Sequence, residues 1–216
     1  MRQSLNEGQQ GLNRLLNEMG KEVEKILLGC MQSLTSLDRV QAKFWIAEDQ
    51  RVNDFERRVD DECVRLIATQ QPVAKDLRKI VSAMKISTDL ERMADLAIDI
   101  AKIVLRIEGP LFKQLIDIPL MAEKALQMMR SGLEAYSNEN IELAHDLAVQ
   151  DDEVDHLYNQ IVRQLLVLMS QKPEMIDQGM YLIFVGRYLE RIADHATNIG
   201  ENVIYITTAE RQDLNK

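Results

Sequence analysis

Glu91, Asp95 and Asp99 stand four residues apart, and Glu190, Asp194 and Asn198 repeat the spacing later in the chain, with Glu201 close behind. On an α-helix a four-residue step keeps side chains on one face, so each set forms a ridge. Like charges at this spacing destabilise an isolated helix by a few tenths of a kcal/mol per pair, so two matched acidic ridges need a reason. Two further stretches offer partners. Asp49, Asn53, Glu56 and Asp60 are spaced four, three and four, and Asp151 and Asp155 are four apart. If facing ridges converge, four or more oxygen ligands meet, which suits Mg²⁺, Mn²⁺ or iron and allows carboxylates to bridge more than one ion. The competing reading is a solvated charged face. Arg92 lies three before Asp95 and Arg191 three before Asp194, so each aspartate has a helical ion-pair partner at hand.

The breaks in the chain show what must position these ridges. Thr35-Ser36-Leu37-Asp38 reads as a helix end followed by a new N-cap, and Gln70-Gln71-Pro72 as a stop and restart. Gly109-Pro110 is the strongest breaker, Ile118-Pro119 suits a helix start, and Ser137-Asn138 and Lys172-Pro173 complete the set. Between them the periodicity predicts six helices, over 4–34, 38–70, 73–107, 118–136, 139–171 and 174–208. Leu90, Met93, Ala97, Ile100, Val104 and Ile107 make an apolar seam at steps of three and four. Leu182, Val185, Leu189, Ile192, Ala196, Ile199, Val203 and Ile206 make another, as helices packed in a bundle require.

The two seams share one register. Leu90-Glu91-Arg92-Met93-Ala94-Asp95 reappears as Leu189-Glu190-Arg191-Ile192-Ala193-Asp194 at an offset of 99 residues, and Asp49 to Asn53 resembles Asp151 to Asp155 at an offset of 102. The chain therefore reads as two copies of a three-helix unit, residues 1–109 and 110–216, giving an all-α fold of two pseudo-symmetric three-helix bundles.

Composition agrees. The chain has 216 residues, with 46% hydrophobic and 28% charged residues, enough to bury a core. Nine glycines, four prolines and 5% aromatics are too few for a β-sandwich or barrel. Thirty-five acidic against 26 basic residues give a net charge of −9, which disfavours nucleic acid and anionic lipid as partners. The N-terminus lacks a signal-peptide pattern and no apolar run is long enough to span a bilayer, so a cytoplasmic protein without direct membrane insertion is expected. Cys30 and Cys63 read as buried thiols in a reducing compartment.

The three histidines carry little. His145 and His156 each follow a glutamate by three, half of a di-iron motif, but a di-iron bundle needs that motif on two helices and both fall on one. His195 beside Asp194 is more ordinary as a surface histidine than as a ligand or phosphorylation site. Nucleophile elbow, phosphate loop and dinucleotide fingerprint are all missing, so no enzymatic activity and no catalytic residue is expected.

Cys63-Val64-Arg65-Leu66-Ile67-Ala68-Thr69-Gln70-Gln71-Pro72-Val73-Ala74-Lys75-Asp76-Leu77-Arg78 resembles the signature of the PhoU family of phosphate-uptake regulators. Leu90 through Asp95, Leu189 through Asp194, and Asp194 through Glu201 are similar to that family's twin metal-motif helices and C-terminal pattern. The resemblance covers essentially the whole chain. It implies a negative regulator of the phosphate-starvation response that relays the state of a phosphate ABC transporter, through its ATPase subunit, to a sensor histidine kinase. It also implies metal, iron foremost with zinc, manganese or magnesium as alternatives, on Glu91, Asp95 and Asp99 facing Asp49, Asn53, Glu56 and Asp60. The second set is Glu190, Asp194, Asn198 and Glu201 facing Asp151 and Asp155. A homodimer is expected. The second set departs from the first, since Tyr158, Val162 and Asn198 stand where Glu56, Asp60 and Asp99 stand. Two other classes fit the bundle: a carboxylate-bridged metalloprotein with a redox or storage role, and a structural or phosphotransfer bundle without metal.

Overall fold

The computed structural model describes residues 2–48, 50–111, 115 and 117–215. The helices are α1 (Arg2–Ser36), α2 (Arg39–Ala47), α3 (Gln50–Gln70), α4 (Ala74–Arg106), α5 (Asp117–Asn138), α6 (Ile141–Gln171) and α7 (Ile176–Thr208). A single 3-10 turn, Pro173–Met175, leads into α7. Among the described residues there is no β-strand.

One boundary departs from expectation. The helix expected over 38–70 is two, because α2 stops at Ala47 and α3 begins at Gln50. Glu48 leaves the helix at φ −85 and ψ 0, its N–H shared between the carbonyls of Phe44 and Trp45. The buried positions Ala42, Trp45, Val52 and Val59 keep one heptad phase across the interruption, so periodicity carried no trace of it. The nearest proline and glycine lie well away.

α4 and α7 are the two central helices. They pack on each other, α4 against α1, α2 and α3, and α7 against α5 and α6, with α1 also touching α5. Both seams are buried along their length, and buried residues of the two halves form one continuous apolar cluster. Cys30 and Cys63 are free and buried, and desolvation pushes both thiols up to about 12.

The internal repeat recurs in the turns. α1 ends at Leu37 with φ 51 and α5 at Glu139 with φ 52, both left-handed. Asp38 N–H reaches the Ser33 carbonyl at 2.9 Å, and Asn140 N–H reaches that of Ala135 at 2.9 Å. This is the closing bond of a Schellman turn. Asp38 then caps α2 through the N–H groups of Val40 and Gln41, and Asn140 caps α6 through those of Glu142 and Leu143. The C-termini of the central helices match too. The Ile107 carbonyl accepts from Arg39 at 2.6 Å, and the Ile206 carbonyl accepts from Arg78 at 3.1 Å.

Removing one cap isolates its contribution. Asp38→Ala is expected to lower stability by about 1 kcal/mol, the ordinary worth of an N-cap carboxylate. Urea unfolding followed by circular dichroism measures it, and Asn140→Ala should cost a similar amount.

Candidate metal centre

Burial of the α7 seam places the acidic groups. Leu189 and Ile192 are sunk in the core, 0% and 1% exposed, and Glu190 between them is drawn in until only 8% of it is exposed. Asp151 on α6 is equally buried at 8%. Neither carboxylate is satisfied: Oδ1 of Asp151 and Oε2 of Glu190 have no hydrogen-bond partner, and a buried anionic oxygen in that condition is costly.

Asp151 lines a cavity of about 400 Å³ together with His145, Asp152, Asp155 and Asp194. Burial is the main force on Asp151, and the charges of Asp194, Asp155 and Glu190 add to it, so its carboxyl is pushed up to about 7. Glu190 is raised to about 7, first by burial and then by Asp194, with Arg187 opposing. Burial also raises Asp194, again against Arg187. The i,i+3 ion pair of this ridge joins Arg187 to Glu190. The helical partner expected for Asp194 was Arg191; its carboxylate is instead approached by the Asn215 amide at 3.4 Å.

The donors of this cluster are carboxylate oxygens, with His145 on the cavity wall, a set of the type that takes Mg²⁺, Mn²⁺ or iron. It is not a closed cage: among the described residues no group of three or more His, Cys, Asp or Glu is arranged to hold an ion. The unpartnered oxygens of Asp151 and Glu190 are the places in this donor set where positive charge would be satisfied.

The first-half ridge is more fully engaged. Arg92 lies 3.5 Å from both Glu91 and Asp95, and Lys102 lies 2.7 Å from Asp99. Thr88 donates to Glu56 at 2.9 Å, and Arg57 bonds the backbone carbonyl of Asn53. Asp49 lies outside the described residues.

Asp60, Asn198 and Glu201 go elsewhere. They line a groove of about 490 Å³ between the halves, with Lys85, Thr88 and Asp89. There Asp89 accepts from Asn198 at 3.0 Å and pairs with His195 Nδ1 at 2.9 Å, so His195 braces α7 against α4. Glu201 accepts from the Leu214 N–H at 2.9 Å. The expected second set thus divides, with Asp151, Asp155, Glu190 and Asp194 together and Asn198 and Glu201 apart.

The residues that sequence reasoning missed lie in the C-terminal tail. Gln212, Asp213, Leu214 and Asn215 return along α7 and line the acidic cavity. One signal was present: Leu214 is a lone large apolar residue in an otherwise polar tail, and it is only 9% exposed.

Comparison with known proteins bears on the fold and the family. A family model described as the PhoU domain matches twice, over residues 16–104 and 118–203. The chain is 39% identical over 206 residues to a phosphate-specific transport system accessory protein PhoU homolog of Clostridium acetobutylicum, covering 94% of each. It is 34% identical over 199 residues to the homolog of Rhizobium meliloti, covering 91% of this chain and 84% of that one. The crystal structure of PhoU from Pseudomonas aeruginosa superposes with a TM-score of 0.87 at 33% identity, covering 95% of this chain and 99% of that chain. The phosphate transport system regulatory protein PhoU from Streptococcus pneumoniae superposes with a TM-score of 0.89 at 28% identity, covering 97% and 99%.

Proposed function

Because the chain belongs to the PhoU family, we propose that it regulates phosphate uptake and represses the phosphate-starvation response by protein contact rather than by catalysis. The partners we assign are the ATPase subunit of a phosphate ABC transporter and the sensor histidine kinase of a phosphate two-component system, both reached from the cytoplasm. Among the described residues no helix is long and apolar enough to cross a membrane. We read residues 1–109 and 110–216 as the two repeats, and a homodimer as the working form.

The observation that carries the metal half of this reading is the pair of buried, unpartnered carboxylate oxygens on Asp151 and Glu190. Asp151 and Asp155 from α6 and Glu190 and Asp194 from α7 would hold the cation, iron foremost, with zinc, manganese or magnesium as alternatives. A bound divalent cation would offset part of the mutual repulsion of these carboxylates and tie α6 to α7. Glu91, Asp95 and Asp99, with Asp49, Asn53 and Glu56, would be the corresponding first-half set, without Asp60, which lines the groove beside Asp89. Its existing partners and the amide at Asn53 make it the weaker binder. The protein's own part is to keep the two helix faces in register, so that occupancy fixes the surface offered to partners.

Deletion of the gene tests the regulatory reading. Alkaline phosphatase activity in phosphate-rich medium is expected to rise strongly in the deletion strain. The wild-type gene should reverse the rise, and a variant with Glu91, Asp95, Glu190 and Asp194 changed to alanine should do so poorly. Continued repression in the deletion strain would contradict the function. Full rescue by the four-alanine variant, with unchanged metal content, would contradict the metal assignment.

A further inference from the structure

The C-terminal tail is built as a strap across the acidic cavity. α7 ends at Ala209, which is left-handed with φ 64, and its N–H still reaches the Tyr205 carbonyl at 3.0 Å. Thr208 Oγ1 accepts from the Glu210 N–H at 3.1 Å, closing the turn that sends the chain back. Leu214 then docks beside Leu147 over Gly200. A Cβ at Gly200 would lie 2.8 Å from Leu147 Cδ1 and 3.2 Å from Leu214 Cδ1, so the slot needs glycine. Beyond it, buried Thr197 donates to the Asn215 carboxamide oxygen, and the Asn215 amide turns towards Asp194 Oδ1 at 3.4 Å.

One leucine and a few hydrogen bonds hold this segment. Each bond contributes about 1 kcal/mol net, so the strap has the low local stability of a segment that can open alone. Its chemistry is the informative part. Docking delivers another carboxylate, Asp213, to a cavity already lined by Asp151, Asp152, Asp155 and Asp194. Charge alone opposes that approach, and a cation in the cavity reverses its sign. Asp213 also supplies oxygens of the class such a cation takes, while Asn215 pins the strap to Thr197 and Asp194.

We propose that residues 209–215 form a cation-dependent strap: Asp213 completes the second-half site, and occupancy of that site sets whether the C-terminus is docked or released. The inference rests on the metal reading above and adds the tail to it.

Mn²⁺ alone is the probe, added to the full chain after chelator treatment. Two readouts are combined: calorimetric Mn²⁺ affinity, and tryptic cleavage at Arg211 followed as release of the Gln212–Lys216 peptide, with cleavage at Lys75, exposed near the start of α4 and away from both ridges, as control. Mn²⁺ is expected to slow cleavage at Arg211 and leave Lys75 unchanged. Asp213→Asn, an exposed position that leaves folding intact, should weaken Mn²⁺ about tenfold, the low end of what loss of a supporting group costs a metal site. A chain ending at Glu210 should weaken it at least as much. Unchanged affinity in Asp213→Asn, with Arg211 cleavage indifferent to Mn²⁺, would overturn the strap while leaving the carboxylate site standing. Failure of the wild-type chain to bind Mn²⁺ would overturn both.

Discussion

Metal-free protein is expected to lose stability as the pH rises from about 4 to about 8, and Asp151→Asn with Glu190→Gln should remove most of that loss. The sign follows from the protons. Asp151 titrates near 3.8 when unfolded and is raised to about 7 when folded, and Glu190 moves from 4.5 to about 7. Between those values the native state holds protons that the unfolded state has released, so stability falls with rising pH and levels off above the folded value. Because the two carboxyls repel one another and remain partly screened by solvent, their joint contribution is on the order of a few kcal/mol, less than two independent groups would give. Urea midpoints measured between pH 4 and 8 in the presence of a chelator check it. The double variant should be the more stable protein at pH 8 and nearly level across the range. Saturating Mn²⁺ should lift the wild type at pH 8 and do little for the variant, because a ligand stabilises only the state that binds it.

Leu189→Ala should cost about 3 kcal/mol. Leu189 is fully buried on α7, the helix that touches α4, α5 and α6, so no single neighbour can collapse into the space left behind. Truncating a leucine in such a place falls in the range of about 2–5 kcal/mol. Leu90→Ala at the matching place on α4, also 0% exposed, should cost a similar amount. Leu166→Ala on α6, where the side chain is 53% exposed, should change stability by no more than about 0.5 kcal/mol. Denaturant unfolding of the three variants gives the comparison. Since Glu190 and Asp194 ride on the Leu189 seam, the α7 variant should also weaken Mn²⁺ binding, which the α6 surface variant should not.

The helices were legible because their signals are local. Seams at three and four, Asp38 as a cap, and Gly109-Pro110 as a breaker belong to single stretches of chain. The duplication was legible because its register survives in Leu90 and Leu189, and the structure extends it to the Leu37 and Glu139 turns. The gap between α2 and α3 was hidden, since the apolar phase passes through it and Glu48 leaves the helix by backbone geometry alone. The acidic ridges were visible as spacing, but spacing does not report burial. Only the packed fold shows that Glu190 is drawn in with one oxygen left without a partner while Asp99 stays with Lys102. Asn198 and Glu201 share the ridge of Asp194 by period, yet they face the groove beside Asp89. The return of the tail was invisible for the same reason: nothing local in Asp213 or Asn215 says that they meet Asp194.

The most direct test of the central claim is anomalous scattering from crystals of the full chain grown with Mn²⁺. We expect a peak between α6 and α7, within bonding distance of carboxylate oxygens from Asp151 and Glu190 and bordered by Asp155 and Asp194. A fully occupied peak only along Glu91, Asp95 and Asp99, or no peak at a Mn²⁺ concentration that saturates the protein in solution, would contradict it.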